Sequence, residues 1–541
     1  MSISKNFTRA GVVLAASALV LTACGGNGDN GGDAGTAEGE SAAVAGGGTI
    51  SVYNCEPQHL VPGNSTEVCG SKVLQQLFTG LVELDYDTYE VIPGVAESWD
   101  TEDSQTWTFT LGEDWTFQNG EEITAQTFVD TFNWVVNPEN TQQSANFFDN
   151  VVGYDAVINE ETDELEGLRA VDEYTLEIEL AEPFAPFPQM LTYTAFYPMP
   201  SEAFEDIEAF EQAPIGNGRY QIDGSWEHDV QIAADRWEDF PGENPGLPER
   251  IEWRIYSDID TAYMDVQAGN LDILDQTPPN RLTQIEADFG ENSATFDTGS
   301  FTYLGLPLYQ EDFQDEDVRH ALSMAIDRQA VIDAIFDGAQ TPATNIIPPM
   351  LPEAQDGICE WCEYNPEEAA DLYEAAGGPS ELTVWFNSGA GHDQWVEAVA
   401  NQWRQNLGIE EVKFESLEFA QYLELHDNEE ITGPFRLGWT LSYPSAQYAM
   451  EPIYTTGQSS NYTGFSNEEF DALIEEANAA DPETSIELYQ QAEEILLNEM
   501  PVLPMWFSNY TTVHSDRIDN GSLLMDQGTF LRLEQIVVTE D

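Results

Sequence analysis

Apolar and polar residues alternate along several short segments of the chain. Residues 106–111 and 115–117 alternate with a period of two, which is typical of strands with one buried face. Residues 171–180 predict a further strand, which ends at a proline-rich stretch. Shorter runs of strand-forming residues predict strands at residues 49–53, 382–386, 412–415 and 501–507.

Other segments repeat their apolar residues with the helical period. Residues 317–328 predict an amphipathic helix with an inward stripe of Val318, Ala321, Leu322, Ala325 and Ile326. Thr124 predicts the N-cap of a helix that carries Phe128, Phe132 and Val135. Helices are also predicted at 68–84, 364–376 and 393–406, and a capping box at 466–469 opens one that ends at Ala477. Because strands and helices alternate in both halves, the sequence predicts an α/β fold.

The N-terminal segment has the layout of an export signal. Lys5 and Arg9 precede an apolar run over residues 10–23, which is too short to span a bilayer as a helix. The run ends in Leu-Thr-Ala-Cys, which is similar to the bacterial lipobox and implies cleavage before Cys24 and lipid attachment to it. The alternative is an ordinary signal that ends in cysteine by chance. Residues 24–48 are rich in glycine and predict a flexible tether, which would hold the folded part at the outer face of the cytoplasmic membrane.

The composition is strongly acidic, with 100 Asp and Glu residues against 16 Lys and Arg and a formal net charge of −84. Such a charge repels phosphate groups, which argues against a nucleic-acid partner. The chain is also 41% hydrophobic and rich in aromatic residues, which argues against disorder. We therefore expect a folded protein that works in high salt, where screening reduces the repulsion between its own charges.

Four cysteines remain after Cys24. An even number in an exported protein suggests two disulfides, and the local pairings are Cys55–Cys69 and Cys359–Cys362. The Cys-x-x-Cys spacing at 359–362 could instead indicate redox chemistry or half of a metal site. No second Cys-x-x-Cys motif or suitable histidine cluster accompanies it, so we predict no metal.

Several motifs resemble those of one protein family. They are Phe-Thr-Gly-Leu at 78–81, Pro-Gly-Val-Ala-Glu-Ser-Trp at 93–99, Trp-Thr-Phe-Thr-Leu at 107–111 and Trp-Thr-Phe-Gln-Asn-Gly at 115–120. Residues 214–220 resemble a Pro-x-Gly-Thr-Gly-Pro-Tyr turn, from which Asn217 and Arg219 depart. Together they resemble the extracellular solute-binding proteins of the oligopeptide/dipeptide class (family 5), which serve ABC importers. The likeness extends over the whole chain after the tether.

The resemblance implies a two-lobed, periplasmic-binding-protein-like (Venus-flytrap) α/β fold with a subdomain inserted in lobe I. Lobe I would comprise residues 49–302 and 508–541, with the insert at about 82–210, and lobe II would comprise residues 303–507. The implied protein is a monomer without catalytic residues or a cofactor. It would capture a peptide or peptide-like solute between its lobes and deliver it to membrane permease subunits.

The resemblance also suggests which residues meet the ligand. Residues 435–443 resemble the family's Arg-x-Gly-Trp-x-x-Asp-Tyr run, whose backbone pairs with an extended ligand. Gly438 and Thr440 would present backbone groups, as would Val68 and the adjacent Cys69 from the opposite lobe. Trp439 and Tyr443 would form walls of the cleft. Arg436 and His392 match positions that contact a ligand carboxylate, although a surface ion pair and an ordinary helix-start histidine are the alternatives.

Ser442 departs from the family pattern. Oligopeptide binders have an aspartate there, which pairs with the amino terminus of the ligand, whereas a serine hydroxyl carries no charge. A free amino terminus could therefore be held elsewhere, or the ligand could lack one. The resemblance leaves nickel complexes, glutathione, sugars and opines open as alternative solutes.

Other functions stay open at this level. An enzyme would need a recognisable site, and the sequence contains no GxSxG, HExxH or P-loop motif. A peptide-sensing receptor could use the same fold. Calcium could bind acid pairs such as Asp258 and Asp260, although a solvated acidic face is the simpler interpretation.

Overall fold

One eleven-stranded sheet carries most of the strands of the described chain, and a four-stranded and a two-stranded sheet carry the others. The computed structural model describes residues 47–85, 88–526, 528 and 530–539. The predicted export signal, Cys24 and the tether up to residue 46 lie outside these residues.

The strands are spread over the full length of the described chain. They are β1 (Thr49–Asn54), β2 (Val82–Leu84), β3 (Val91–Pro93), β4 (Ala96–Asp100), β5 (Thr106–Leu111), β6 (Leu168–Asp172), β7 (Thr175–Glu179), β8 (Tyr220–Ile222), β9 (Gln231–Arg236), β10 (Arg250–Ile255), β11 (Ile273–Leu274), β12 (Ser293–Gly305), β13 (Thr341–Pro342), β14 (Glu381–Asn387), β15 (Glu411–Leu417), β16 (Phe435–Thr440) and β17 (Val502–His514).

The α-helices are also spread over the described chain, and the eight that follow residue 315 each have nine or more residues. They are α1 (Val68–Leu77), α2 (Ala125–Val136), α3 (Tyr154–Ile158), α4 (Phe187–Met190), α5 (Ser201–Glu205), α6 (Ile207–Gln212), α7 (Ile259–Gln267), α8 (Ile285–Asp288), α9 (Glu316–Met324), α10 (Arg328–Phe336), α11 (Pro366–Ala376), α12 (Asp393–Asn406), α13 (Phe419–Asp427), α14 (Ala446–Tyr454), α15 (Glu468–Ala479) and α16 (Pro482–Glu499).

Two long antiparallel strands, β12 and β17, occupy the middle of the large sheet. The strand order is β15-β14-β16-β12-β17-β11-β1-β10-β9-β8, and β13 pairs with β17 outside this path. Strands from residues 381–440 lie on one side of the long pair, and strands from residues 49–274 lie on the other. The long pair therefore connects two halves, which is the two-lobed α/β arrangement.

Each half has its own apolar core. The largest cluster contains Phe109 and Trp253 and draws mainly on residues 50–273 and 518–536. Two other clusters draw on residues 301–507 and contain Tyr422 and Trp403 respectively. The four-stranded sheet β4-β5-β7-β6 lies within the span of the expected insert. The boundaries of the lobes and of the inserted subdomain stay predictions.

Segments with strong local periodicity have the predicted structure. β5 covers the alternating residues 106–111, α12 covers 393–406, and β14 and β15 cover the strands predicted near 382 and 412. Thr124 occupies the N-cap of α2, and its backbone N–H donates to Thr127 Oγ1 at 3.1 Å. In these segments the local pattern and the tertiary packing favour the same structure.

Two predicted elements are interrupted by turns or extended residues. The helix expected over 68–84 ends at Leu77, because the side chain of Asn217 holds both the N–H and the C=O of Thr79 and keeps the chain extended there. The strand expected over 171–180 is a hairpin of β6 and β7, because Asp172 Oδ1 accepts the N–H of Tyr174 and turns the chain.

Three further predictions differ in detail. Residues 115–117 form no strand, since Phe117 N donates to Glu121 O in a local turn and only an isolated bridge joins Thr116 to Glu122. The helix expected over 317–328 is divided into α9 and α10, because Asp327 caps the second helix through Ala330 N. Asn467, one residue after the predicted Ser466, caps α15.

Candidate functional site

Strand β16 presents an open backbone edge. It pairs with β12 along its whole length, whereas β14 meets it at Phe435 only. In an antiparallel pair, successive residues of a strand direct their backbone N–H and C=O groups alternately towards and away from the partner strand. Leu441 N donates to Gly299 O at 3.2 Å, so the backbone groups of Gly438 and Thr440 face away from β12. Within the described residues no strand pairs with Gly438 or Thr440 on that side. An extended ligand could therefore add to β16 through main-chain hydrogen bonds.

Gly438 allows β16 to lie close to β12. A Cβ atom built at this position would lie 2.9 Å from the backbone oxygen of Phe301, which is closer than a carbon and an oxygen can pack. Glycine at this position therefore allows β16 to pair with β12 in the observed register, beside the place where the ligand backbone would bind.

Arg436, at the start of this edge, is a partly buried side chain whose guanidinium group has no carboxylate partner in the described part of the chain. Its Nη1 donates to Asn387 Oδ1 at 3.2 Å, and its buried Nε has no acceptor. Burial lowers the pKa of Arg436, while the hydroxyls of Tyr422 and Tyr303 oppose that shift. A buried charge without a partner is costly, so the site favours an anion that accepts from this guanidinium.

Two other arginines without a carboxylate partner in the described chain, Arg319 and Arg328, are buried and differ from Arg436. Arg319 donates to the backbone oxygens of Glu499, Phe313 and Gln314. Arg328 likewise donates to backbone oxygens, those of Pro504 and Cys362. These two side chains are structural, whereas Arg436 keeps hydrogen-bonding capacity for a ligand.

His392 lies at the N-terminus of α12, close enough to Arg436 for the two groups to interact. Burial, followed by the charge of Arg436, lowers the pKa of His392 to about 3, so the ring is neutral at ordinary pH. Its Nδ1 accepts from Trp395 Nε1 at 3.3 Å, and its buried Nε2 has no partner. This hydrogen bond assigns the proton to Nε2. His392 and Arg436 thus both offer donors, and the helix N-terminus adds a favourable potential for an anion.

Three residues predicted at the site, Trp439, Ser442 and Tyr443, converge on Tyr448. Trp439 Nε1 donates to Tyr448 O at 2.7 Å, and the rings of Tyr443 and Tyr448 are centred 4.5 Å apart. Ser442 Oγ donates to the Tyr448 hydroxyl at 3.1 Å. Sequence reasoning missed Tyr448, because α14 brings it back to the strand and no feature of its neighbourhood in the sequence indicates that contact.

Val68 and Cys69 form the start of α1, in the other half of the molecule. Glu67 caps this helix by accepting from Cys69 N at 2.6 Å and Gly70 N at 2.9 Å, and Asn54 Nδ2 donates to Cys69 O at 3.0 Å. The side chain of Val68 is 45% exposed. No hydrogen bond in the described structure joins Val68 or Cys69 to β16, and the ligand-binding roles of all these residues stay predictions.

The cysteines lie in the two expected pairs. The Cα atoms of Cys55 and Cys69 are 5.5 Å apart, and those of Cys359 and Cys362 are 5.3 Å apart, which is within disulfide range. Asp258 caps α7 and Asp260 pairs with Arg281 Nε at 2.7 Å, so both acids have protein partners. No group of three or more potential metal-binding side chains occurs in the described residues.

The described helices include none that combines the length and the apolar character needed to cross a bilayer.

The family description "Bacterial extracellular solute-binding proteins, family 5 Middle" matches residues 90–461, and the chain belongs to this family. Family 5 proteins are the solute-binding components of ABC importers and are not enzymes. The chain is therefore a transport binding protein.

Two curated relatives come from Bacillus subtilis (strain 168). The dipeptide-binding protein DppE is 26% identical over 466 residues, covering 82% of this chain and 84% of its own. The oligopeptide-binding protein OppA is 25% identical over 526 residues, covering 92% and 94%. Each alignment covers most of this chain and most of the relative.

Solved structures share the fold. The unliganded open form of the periplasmic murein tripeptide binding protein MppA has a TM-score of 0.82 at 23% identity, covering 92% of this chain and 98% of its own. Haemophilus influenzae OppA in complex with the peptide RPPGFSPFR has a TM-score of 0.70 at 24% identity, covering 91% and 99%.

Proposed function

We propose that this protein is a lipid-anchored extracellular receptor that captures peptides between its lobes and delivers them to an ABC permease. The observation that supports the proposal most strongly is the partly buried Arg436, which lies at the start of the open edge of β16 and has no carboxylate partner in the described chain. A peptide supplies what this arrangement lacks, namely a carboxylate for Arg436 and backbone groups for Gly438 and Thr440.

The positions of these groups suggest how the peptide lies. With its carboxylate at Arg436 and His392, the peptide would extend along β16 towards Ser442. Its amino terminus would then point in the direction in which β16 runs, so the two chains would be antiparallel. Because backbone hydrogen bonds are independent of side chains, the site would accept many sequences. The names of the relatives, which bind dipeptides, oligopeptides and murein peptides, support this class of ligand.

Ligand binding would favour a closed form in which the lobes meet around the peptide. A ligand shifts such an equilibrium only by its differential affinity for the two forms, and contacts from both lobes provide that difference. Cleavage before Cys24 and lipidation of its sulfur would anchor the chain. The glycine-rich tether would let the closed form reach permease subunits.

Calorimetry with tetra-alanine and its C-terminal amide tests the carboxylate site. We expect the wild-type protein to prefer the free carboxylate by about tenfold or more, because a charge-assisted hydrogen bond is lost in the amide. Arg436→Gln should remove this preference. Arg404→Gln is the matched control, since Arg404 also lacks a carboxylate partner but donates to Val412 O away from β16. Equal affinity of the wild type for both peptides would contradict the proposal.

Fractionation of the producing cells tests the anchor separately. The wild-type chain should appear in the membrane fraction and carry a lipid mass on its N-terminal peptide. Cys24→Ala should release an unlipidated chain into the medium. A soluble wild-type protein of unmodified mass would contradict lipid anchoring but would not bear on the proposed peptide site.

A further inference from the structure

A small cavity beside α1 reaches Ser442. It holds about 50 Å³ of space, enough for a group of a few heavy atoms. Residues of α1, residues near Thr194, and the C-terminal stretch around Asp526 line it, and Ser442 is the lining residue that comes from the β16 segment. The cavity thus adjoins the position where the proposed ligand would place its amino terminus.

The charges around this cavity leave one carboxylate without a cation. Arg219 binds Glu83 through two parallel hydrogen bonds of 2.6 and 2.9 Å. Arg532 Nε lies 2.6 Å from Glu534 Oε1. Asp526 is 2% exposed, and no cationic side chain lies within ion-pair distance of it in the described structure. Its carboxylate accepts from Phe530 N at 2.8 Å and Gln75 Nε2 at 3.5 Å, and it also has a hydrogen bond to the backbone of Gly528.

The pKa shifts of Glu534 and Asp526 agree with the finding that the arginines bind the glutamates and that Asp526 has no cationic partner. Burial acts to raise the pKa of Glu534, but the guanidinium groups of Arg532 and Arg219 hold it below its usual value. Burial raises the pKa of Asp526 to about 7, although hydrogen bonds from Phe530, Gln75 and Gly528 and, least of all, the charge of Arg532 oppose this shift. The two arginines therefore stabilise the glutamates and leave Asp526 uncompensated.

Three oxygens around the cavity also have no hydrogen-bond partner. They are Gln76 Oε1, Thr79 Oγ1 and Thr194 Oγ1, on side chains that are at most 4% exposed. Gln76 Nε2 is fixed on Glu534 Oε2 at 3.0 Å, which leaves its carbonyl oxygen as the end available to a ligand. Buried acceptors without donors are unfavourable, so the cavity suits a group rich in N–H donors.

We propose that this cavity receives a primary ammonium group of the bound solute, with Asp526 as its counter-charge. An ammonium group is compact and carries three donors and one positive charge, so it can pair with the carboxylate and with two of the three oxygens. The inference rests on the proposed function and extends it. Asp526 would supply from lobe I the negative charge that Ser442 does not provide. The ammonium could be the amino terminus of a peptide or the end of a lysine side chain.

Calorimetry at about pH 7, where both kinds of ammonium are largely protonated, separates these sources. The probes are tetra-alanine, acetyl-tetra-alanine and acetyl-Lys-Ala-Ala-Ala. We expect the wild type to bind one or both cationic peptides at least about tenfold more tightly than acetyl-tetra-alanine. Asp526→Asn keeps the acceptor for Phe530 N and should remove this preference, with unchanged affinity for acetyl-tetra-alanine. Asp371→Asn, which removes one exposed carboxylate from α11, should behave as the wild type.

A second measurement does not depend on peptide binding. At matched ionic strength, n-butylammonium chloride should raise the melting temperature of the wild type more than that of Asp526→Asn, whereas n-butanol should not distinguish them. Loss of all peptide binding with this difference intact would overturn the proposed function alone. Equal responses of the two proteins to butylammonium, or a full preference for cationic peptides in Asp526→Asn, would overturn the cavity proposal.

Discussion

Ser442 donates a hydrogen bond of 3.1 Å to the hydroxyl of Tyr448. This contact ties the end of the β16 segment to α14, and the same serine lines the cavity that contains Asp526. A neutral residue therefore lies where the open strand edge and the acidic cavity meet. The charge at this position should decide how tightly a free amino terminus is held.

Ser442→Asp should tighten the binding of unblocked peptides. A carboxylate here adds an attraction for the amino terminus, which we expect to increase affinity for tetra-alanine by about tenfold. Acetyl-tetra-alanine should bind no more tightly than before. Ser442→Asn serves as the neutral control. Calorimetry showing no change in the aspartate variant would remove Ser442 from the amine site.

Gly438→Ala should weaken peptide binding. The new Cβ would lie 2.9 Å from Phe301 O, so β16 would have to shift away from β12 and move its open edge. We expect peptide affinity to fall about tenfold, with about 1 kcal/mol of lost stability. Gly521→Ala is the control, since a Cβ there meets nothing closer than 3.6 Å. Unchanged peptide affinity in Gly438→Ala would show that this edge does not bind the ligand.

His426 should contribute to acid sensitivity. Both ring nitrogens are buried without partners among the rings of Tyr422, Phe435 and Tyr462, and burial lowers the pKa of His426 to about 4. The unfolded chain therefore binds a proton below about pH 6.5 that the folded chain does not bind, so stability falls as the pH decreases from about 6.5 to 4. This effect amounts to about 3 kcal/mol.

His426→Phe should remove that part of the pH dependence. Chemical denaturation at the two ends of this range measures it, with the half-exposed His228→Phe as control. A variant with the same loss of stability as the wild type between these two pH values would show that His426 is not buried as described.

Asp526 should have the opposite pH dependence. Its pKa of about 7 in the folded state lies above that of the unfolded chain, so the folded state holds its proton longer. Stability therefore falls as the pH rises from about 4 to 7, by up to about 4 kcal/mol. In the absence of ligand, Asp526→Asn should be more stable than the wild type at about pH 8, and this difference should shrink at about pH 4. Denaturation curves with a constant difference across this range would exclude a buried, uncompensated Asp526.

The large negative charge should make the protein dependent on salt. Self-repulsion among 100 acidic residues is strong in dilute buffer and is screened in molar salt. Thermal melts should therefore show a melting temperature several degrees higher in molar KCl than in dilute buffer. Equal melting temperatures would remove the argument for a saline environment.

Local sequence patterns determined much of the fold. β5 and α12 have the predicted bounds, because the alternation of β5 and the helical periodicity of α12 depend only on the residues of each element, and the tertiary packing favours the same structures. The motif around β16 also identified the candidate site, including Arg436. The pattern failed at Thr79, where Asn217 imposes an extended backbone from far along the chain.

Only the tertiary structure showed which of the charged and polar groups have partners. The sequence contains far more acids than bases, and nothing in it indicates that Arg436 lies apart from carboxylates while Asp526 lies apart from cations. Those facts depend on contacts between distant segments, such as Glu83 with Arg219 and Ser442 with the cavity beside α1. Periodicity is a local property of the chain, whereas the environment of a charge is set by whatever the fold places next to it.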